Sequence, residues 1–149
     1  MSFSRTRVVA EARAWIGTPY RHQASLKGVG CDCLGLVRGV WRECIGPEPE
    51  DARPYGVDWA EASRVDALAQ AGARHFRAVA LREFEAGDVL LFRWRADAPA
   101  KHLAIATSPA SMVHAHDGAC VAEVAISPWW LRHLAFAFAF PDRASAPGD

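Results

Sequence analysis

The residues best suited to chemistry lie in the run Gly30-Cys31-Asp32-Cys33-Leu34-Gly35-Leu36-Val37, where a loop gives way at a cysteine to an apolar stripe of helical spacing formed by Val37, Val40, Trp41 and Cys44. This places Cys33 at a helix N-terminus. Backbone N–H groups without intrahelical partners and the positive end of the helix dipole lower a thiol pKa there, and the same N–H groups can hold an oxyanion forming on a substrate carbonyl. The plainer reading of Cys33 is a small buried apolar residue, as free cysteines usually are.

A cysteine nucleophile needs a base, and six histidines are available: His22, His75, His102, His114, His116 and His133. Strand alternation in Lys101-His102-Leu103-Ala104-Ile105-Ala106 puts His102 on one face with Ala104 and Ala106, small residues that leave room for a helix end to approach. The short Ser108-Pro109-Ala110 connection allows a hairpin that brings His114 beside His102, giving a base and the group that orients it. Two half-sites compete for a metal, Cys31-x-Cys33 and His114-x-His116-x-x-x-Cys120, but structural zinc pairs are usually separated by two to four residues, so no metal is expected. No G-x-S-x-G is present for a serine hydrolase.

The elements that must position these groups read in two blocks. Ser4 can cap a helix to about Ile16 built on Val8, Val9, Ala12, Trp15 and Ile16, ended by Gly17 and Pro19. Thr18 to Gly30 reads as an irregular loop, the Cys33 helix runs to Gly46-Pro47, Pro47 to Pro54 is a surface loop, and Trp59 to Gly72 is an Ala-rich helical segment. From Gly87 the period becomes two, with strands at Asp88–Trp94, Lys101–Thr107, Met112–His116, Ala119–Ala125 and Leu134–Phe140. Helices followed by closely spaced strands give an α+β domain with the early helices on one face of a mostly antiparallel sheet. One domain over residues 1–141 and a frayed tail over 142–149 account for the 149 residues.

Composition excludes several classes. Lys plus Arg and Asp plus Glu are both 17, so there is no basic field for nucleic acid or an anionic membrane. The longest apolar run, Leu134 to Phe140, is far short of the ~20 residues of a membrane span. Residues 1–17 carry Arg5, Arg7, Glu11 and Arg13 within the apolar pattern, so a secretory signal is not expected and the chain is expected to be made in the cytoplasm. Four cysteines fit reduced thiols rather than a disulfide scaffold.

With these residues in view, the sequence resembles the NlpC/P60 family of papain-like peptidases, which cleave peptide stems of bacterial cell wall. The likeness covers Val8 to Phe140 through Gly17-Thr18-Pro19-Tyr20, the Gly30–Leu36 element, Ala86-Gly87-Asp88-Val89, Lys101-His102-Leu103-Ala104-Ile105 and Met112-Val113-His114-Ala115. It implies a papain-like fold with N-terminal helices on a five- to six-stranded sheet, Cys33 as nucleophile, His102 as general base and acid, His114 as the group holding the imidazole tautomer, and Tyr20 and Asp32 lining the substrate site. No cofactor is implied. Leu34 stands where most members have Ser and Ala104 where Gly is usual, so recognition N-terminal to the scissile bond is expected to differ. Tyr20-Arg21-His22-Gln23, Cys31-Asp32-Cys33-Leu34-Gly35 and Val40-Trp41-Arg42-Glu43 are most similar to the branch encoded among phage tail and gene transfer agent genes.

The implied function is a cysteine endopeptidase acting on peptidoglycan stem peptides at a γ-D-glutamyl–diamino acid bond, carried to the wall and periplasm in a virion-like tail with tail or baseplate proteins as partners. The alternatives are a structural tail component with a degenerate site, and an amidase or acyl transferase using the same triad. Trp129-Trp130 and the Trp94 region between Arg93 and Arg95 are candidate interface residues, with ordinary core packing as the alternative.

Overall fold

The computed structural model describes residues 3–49 and 67–141. Helix α1 (Phe3–Ala14) packs Val8, Ala12 and the following Trp15 against helix α2 (Cys33–Cys44), while Ile16, expected on the same stripe, is 46% exposed. The Trp15 indole lies over Gly39, and a Cβ there would run into the ring, so a glycine is what lets α1 and α2 approach. The capping role expected of Ser4 lies outside the described side chains.

Between the two helices, the segment expected as an irregular loop contains a small antiparallel hairpin, β1 (Ser25–Leu26) with β2 (Gly30–Cys31). Residues 17–20 are also tied to a segment a hundred residues further along the chain: Gly17 N–H donates to Val121 O, Val121 N–H to Thr18 O and Tyr20 N–H to Ala119 O, at 2.8, 2.8 and 3.1 Å. Backbone pairing across these distant segments is what the local Gly and Pro signals could not reveal.

Helix α3 (Ala67–His75) falls in the segment expected to be Ala-rich helix, but it ends beyond Gly72; residues 59–66 of that expectation, most of the Pro47–Pro54 loop and the 142–149 tail lie outside the described residues. The main sheet has six strands: β3 (Arg77–Val79), β4 (Val89–Phe92), β5 (His102–Ser108), β6 (Ser111–His114), β7 (Ala122–Ala125) and β8 (Leu134–Ala139). They lie in the order β3-β8-β4-β5-β6-β7 with every neighbour antiparallel. The five expected strands are all present, and β3 was not anticipated. A short helix α4 (Pro128–His133), begun by Ser127 and Pro128, precedes β8.

Both faces of the sheet are covered, which is why β4 reads as an unbroken apolar run. Val89, Leu91, Leu103, Ile105 and Val113 face α1 and α2, whereas Leu90, Phe92, Ala104, Ala106 and Met112 form a second layer with Trp130 of α4. This corrects one sequence expectation. The small residues Ala104 and Ala106 do not make room for α2; they lie on the opposite face, and Leu103 and Ile105 meet the helix. Arg5 of α1 bridges to the buried Asp88 at 2.7 Å and to Ala86 O at 3.0 Å, locking α1 to the start of β4.

Candidate active site

Asp32 organises the start of α2. Its Oδ1 accepts the Gly35 N–H and its Oδ2 the Gln23 N–H, both at 2.7 Å, while its main-chain oxygen accepts the Leu36 N–H at 2.9 Å. The N–H groups of Cys33 and Leu34 at the start of the helix, together with the Leu103 N–H from β5, act on the Cys33 thiol to lower its pKa. The tie to Asp32 holds Gln23 at φ 66°, the only non-glycine in the left-handed region among the described residues. Gly35 is required by the same closure, because a Cβ there would collide with the Ala24 carbonyl oxygen.

These N–H groups favour the thiolate, as the sequence reading expects, but they do not win. Burial pushes the Cys33 thiol up to about 12, outweighing the N–H groups, and the Asp32 charge adds to the rise. The expectation of a lowered thiol pKa at this helix end is therefore overturned by desolvation. Cys31, also pushed up to about 12 by burial, faces the core and takes no part in the pocket.

His102 at the start of β5 and His114 at the end of β6 are both buried, and His102 Nε2 lies 2.9 Å from His114 Nδ1. The pairing of Ile105 with Val113 explains the contact, since one further step sets His114 opposite Ala104, two residues from His102. Burial, followed by the neighbouring His114 and His116 rings, lowers His102 to about 3; burial and His116 lower His114 to about 4. The site thus pairs a neutral thiol with neutral imidazoles. Trp94 and Trp130 stack on the His102 ring at 5.6 and 5.5 Å between centroids.

Cys33, His102, Tyr20 and Asp32 line one cavity of about 210 Å³, and His114 supports it from behind. All five residues expected at the site are brought together. Burial, then the Cys33 and Asp32 charges, push the Tyr20 phenol up to about 12, so it remains a hydrogen-bond donor. Trp94, Lys101, Asp117, His22 and His116 also line it; none was assigned to the site from the sequence, although His22 and His116 were among the six candidate bases. His116 had a usable signal, being one strand period beyond His114; the others are set by loop paths. Among the described residues no three His, Cys, Asp or Glu side chains come together as a metal site would require. A second, apolar cavity of about 190 Å³ between α2 and α3 contains no thiol, and its Arg38 and Glu48 are paired at 2.7 Å.

The NlpC/P60 family matches residues 17–137, a span that contains every one of these groups. The chain belongs to the NlpC/P60 family. The NlpC/p60 domain of the peptidoglycan hydrolase SagA is similar to it at 25% identity and a TM-score of 0.62, covering 91% of this chain and 98% of that domain. An NlpC/P60 family protein from Bacillus cereus shares the fold at 16% identity and a TM-score of 0.67, with 91% of this chain matching 40% of that one. The peptidoglycan hydrolase RipB from Mycobacterium tuberculosis does so at 18% identity and a TM-score of 0.58, with 91% of this chain matching 63% of that one. The match therefore spans nearly all of the SagA domain but less than two thirds of the other two chains. Comparison with curated protein sequences gives no significant match. Among the described residues no helix is long and apolar enough to cross a membrane.

Proposed function

We propose that this NlpC/P60 protein is a cysteine endopeptidase of peptidoglycan stem peptides, with Cys33 as nucleophile, His102 as general base and acid, and His114 as the residue that orients His102. The observation that carries this reading is the 2.9 Å contact between His102 Nε2 and His114 Nδ1 beside a pocket lined by Cys33. With Nε2 engaged by His114, Nδ1 is the nitrogen that takes the thiol proton. For Nδ1 to accept, Nε2 must carry the hydrogen and donate to His114 Nδ1, which assigns one tautomer to each ring.

Because thiol and imidazole are both neutral at rest, the proton moves from sulfur to His102 as the sulfur attacks the peptide carbonyl. The N–H groups at the start of α2 hold the developing oxyanion. Collapse breaks the C–N bond, His102 returns its proton to the leaving amine, and a thioester remains on Cys33. Water, deprotonated by His102, then releases the acid and restores the thiol. Tyr20 and Asp32 lie where the polar or amino end of a stem would bind. The bond we assign is γ-D-glutamyl to a diamino acid, and the resemblance to tail-associated members supports delivery by a phage-like or gene transfer agent tail.

Digestion of purified sacculi followed by mass spectrometry tests the reading. Products ending in D-glutamate, absent with Cys33→Ala, are expected; intact stems with the unaltered protein would overturn it. For delivery, purified particles are expected to contain the protein by immunodetection, and particles lacking it while the lysate contains it would overturn that part.

A further inference from the structure

Two aromatic segments far apart in sequence converge on one rim of the Cys33 pocket. Trp94, after β4, and Trp129, in α4, are 39% and 44% exposed, with ring centroids 6.0 Å apart and planes inclined by 38°. Each also packs on the half-buried Trp130, at 6.1 and 5.0 Å. The rings are braced from within. Trp94 lies against His102, and Trp129 stacks on His133 at 4.0 Å while His133 Nδ1 contacts Trp129 O at 2.7 Å.

Large aromatic side chains left partly in water at the edge of a pocket, and held rigid there, mark a surface that a ligand covers. Continuity chooses the ligand. Trp94 is itself a wall of the Cys33 pocket, so whatever lies on the two indoles is joined to what enters that pocket. A stem peptide is mostly amide, carboxylate and amine, which match the polar groups around Cys33. The part of the wall polymer that offers a flat apolar face of indole size is the sugar ring, whose axial C–H bonds point at the negative face of an aromatic system.

We propose that Trp94 and Trp129 form a saccharide subsite, on which an N-acetylated amino-sugar ring of the wall polymer lies while an attached stem peptide occupies the Cys33 pocket. This rests on the stem-peptidase reading given above. It makes the protein prefer stems still attached to glycan over free peptides, with Trp129 setting that preference from outside the pocket.

Titration calorimetry with Cys33→Ala protein, which cannot turn substrate over, tests it using three probes: a disaccharide-linked stem peptide, the same stem peptide without sugar, and the disaccharide alone. The sugar-linked stem is expected to bind roughly tenfold more tightly than the bare stem, the factor that ~1.4 kcal/mol of ring stacking supplies. Adding Trp129→Ala should reduce that preference to about twofold, and Trp129→Phe should retain most of it, with thermal melts confirming that both variants fold. Equal binding of linked and bare stems, or a loss in Trp129→Ala that falls equally on both, would overturn the subsite. Trp129-dependent binding of the disaccharide without any binding of the bare stem would support the subsite and remove the stem-peptidase reading. Loss of particle association in Trp129→Ala with sugar preference unchanged would assign the patch to a protein partner and overturn the proposal.

Discussion

Acidification acts directly on the buried imidazole pair. His102 and His114 are 7% and 5% exposed, and burial with the neighbouring rings holds them at about 3 and about 4. In the unfolded chain both return to the ordinary histidine value of about 6.5. The folded values lie below the unfolded ones, so the unfolded chain takes up protons first. Stability is complete above about pH 6.5 and falls below it, by about 1.4 kcal/mol per pH unit for each histidine until the folded values are reached. At about pH 5 each ring has given up about 2 kcal/mol and the pair about 4 kcal/mol at most, against roughly 5–15 kcal/mol for a whole domain. The two rings share a hydrogen bond, so the loss belongs to the pair rather than to either ring.

Two carboxylates of the described residues act below this window. Burial raises Glu48, but Arg38 and Arg42 outweigh it and lower the group, and Arg13 and Thr107 lower Glu123, so both act only at more acid pH. Asp88, raised by burial against the pull of Arg5, contributes with the opposite sign. Urea unfolding at about pH 7.5, 6 and 5 measures the effect in the unaltered protein and in His114→Asn, which keeps a polar partner for His102 while removing one titrating ring. The acid loss is expected to be about half as large in the variant. Equal stability of the unaltered protein at pH 7.5 and 5, or the same slope in both proteins, would refute the reasoning.

Further outcomes follow from the same geometry. A base held neutral down to about 3 stays competent in mild acid, so kcat/KM per folded molecule should remain flat between about pH 6.5 and 5; a tenfold fall per unit below 6.5 would show an ordinary histidine. Asp32→Ala removes the cap on Gly35 and the tie to Gln23, and should cost about 1–2 kcal/mol in urea unfolding together with a fall in kcat; unchanged stability would contradict its organising role. Gly35→Ala drives a methyl group into the Ala24 carbonyl, and a loss of about 1–3 kcal/mol is expected by thermal unfolding; a variant as stable as the parent would show that the loop yields freely.

Alternation and helical spacing sufficed for five of the six strands of the main sheet and for α2, because both periods are written locally in apolar side chains. They also put Cys33 at the correct helix end and His114 beside His102. What they missed depends on contacts between distant segments. The β3 strand has three residues and owes its existence to β8, and the β1–β2 hairpin is stabilised by a loop tied to Ala119 and Val121. His102 does share its face with Ala104 and Ala106, but the layer expected over that face was wrong, because a two-residue period shows which side chains share a face and not what covers it; Trp130 of α4 covers it in place of the end of α2. The thiol pKa failed for a similar reason, since a helix end is visible in sequence and the depth of the sulfur is not. The convergence of Trp94 with Trp129 has no sequence signal beyond the presence of the residues.

The central claim is that Cys33 becomes acylated with His102 as its base, and acid-quenched intact-mass analysis during turnover of a stem peptide tests it most directly. A mass increase equal to the acyl half of the peptide is expected, mapping to the Gly30–Val37 peptide, absent in Cys33→Ala and strongly reduced in His102→Ala. Turnover by Cys33→Ala, or an acyl group mapped to Cys31, Cys44 or Cys120, would contradict the account.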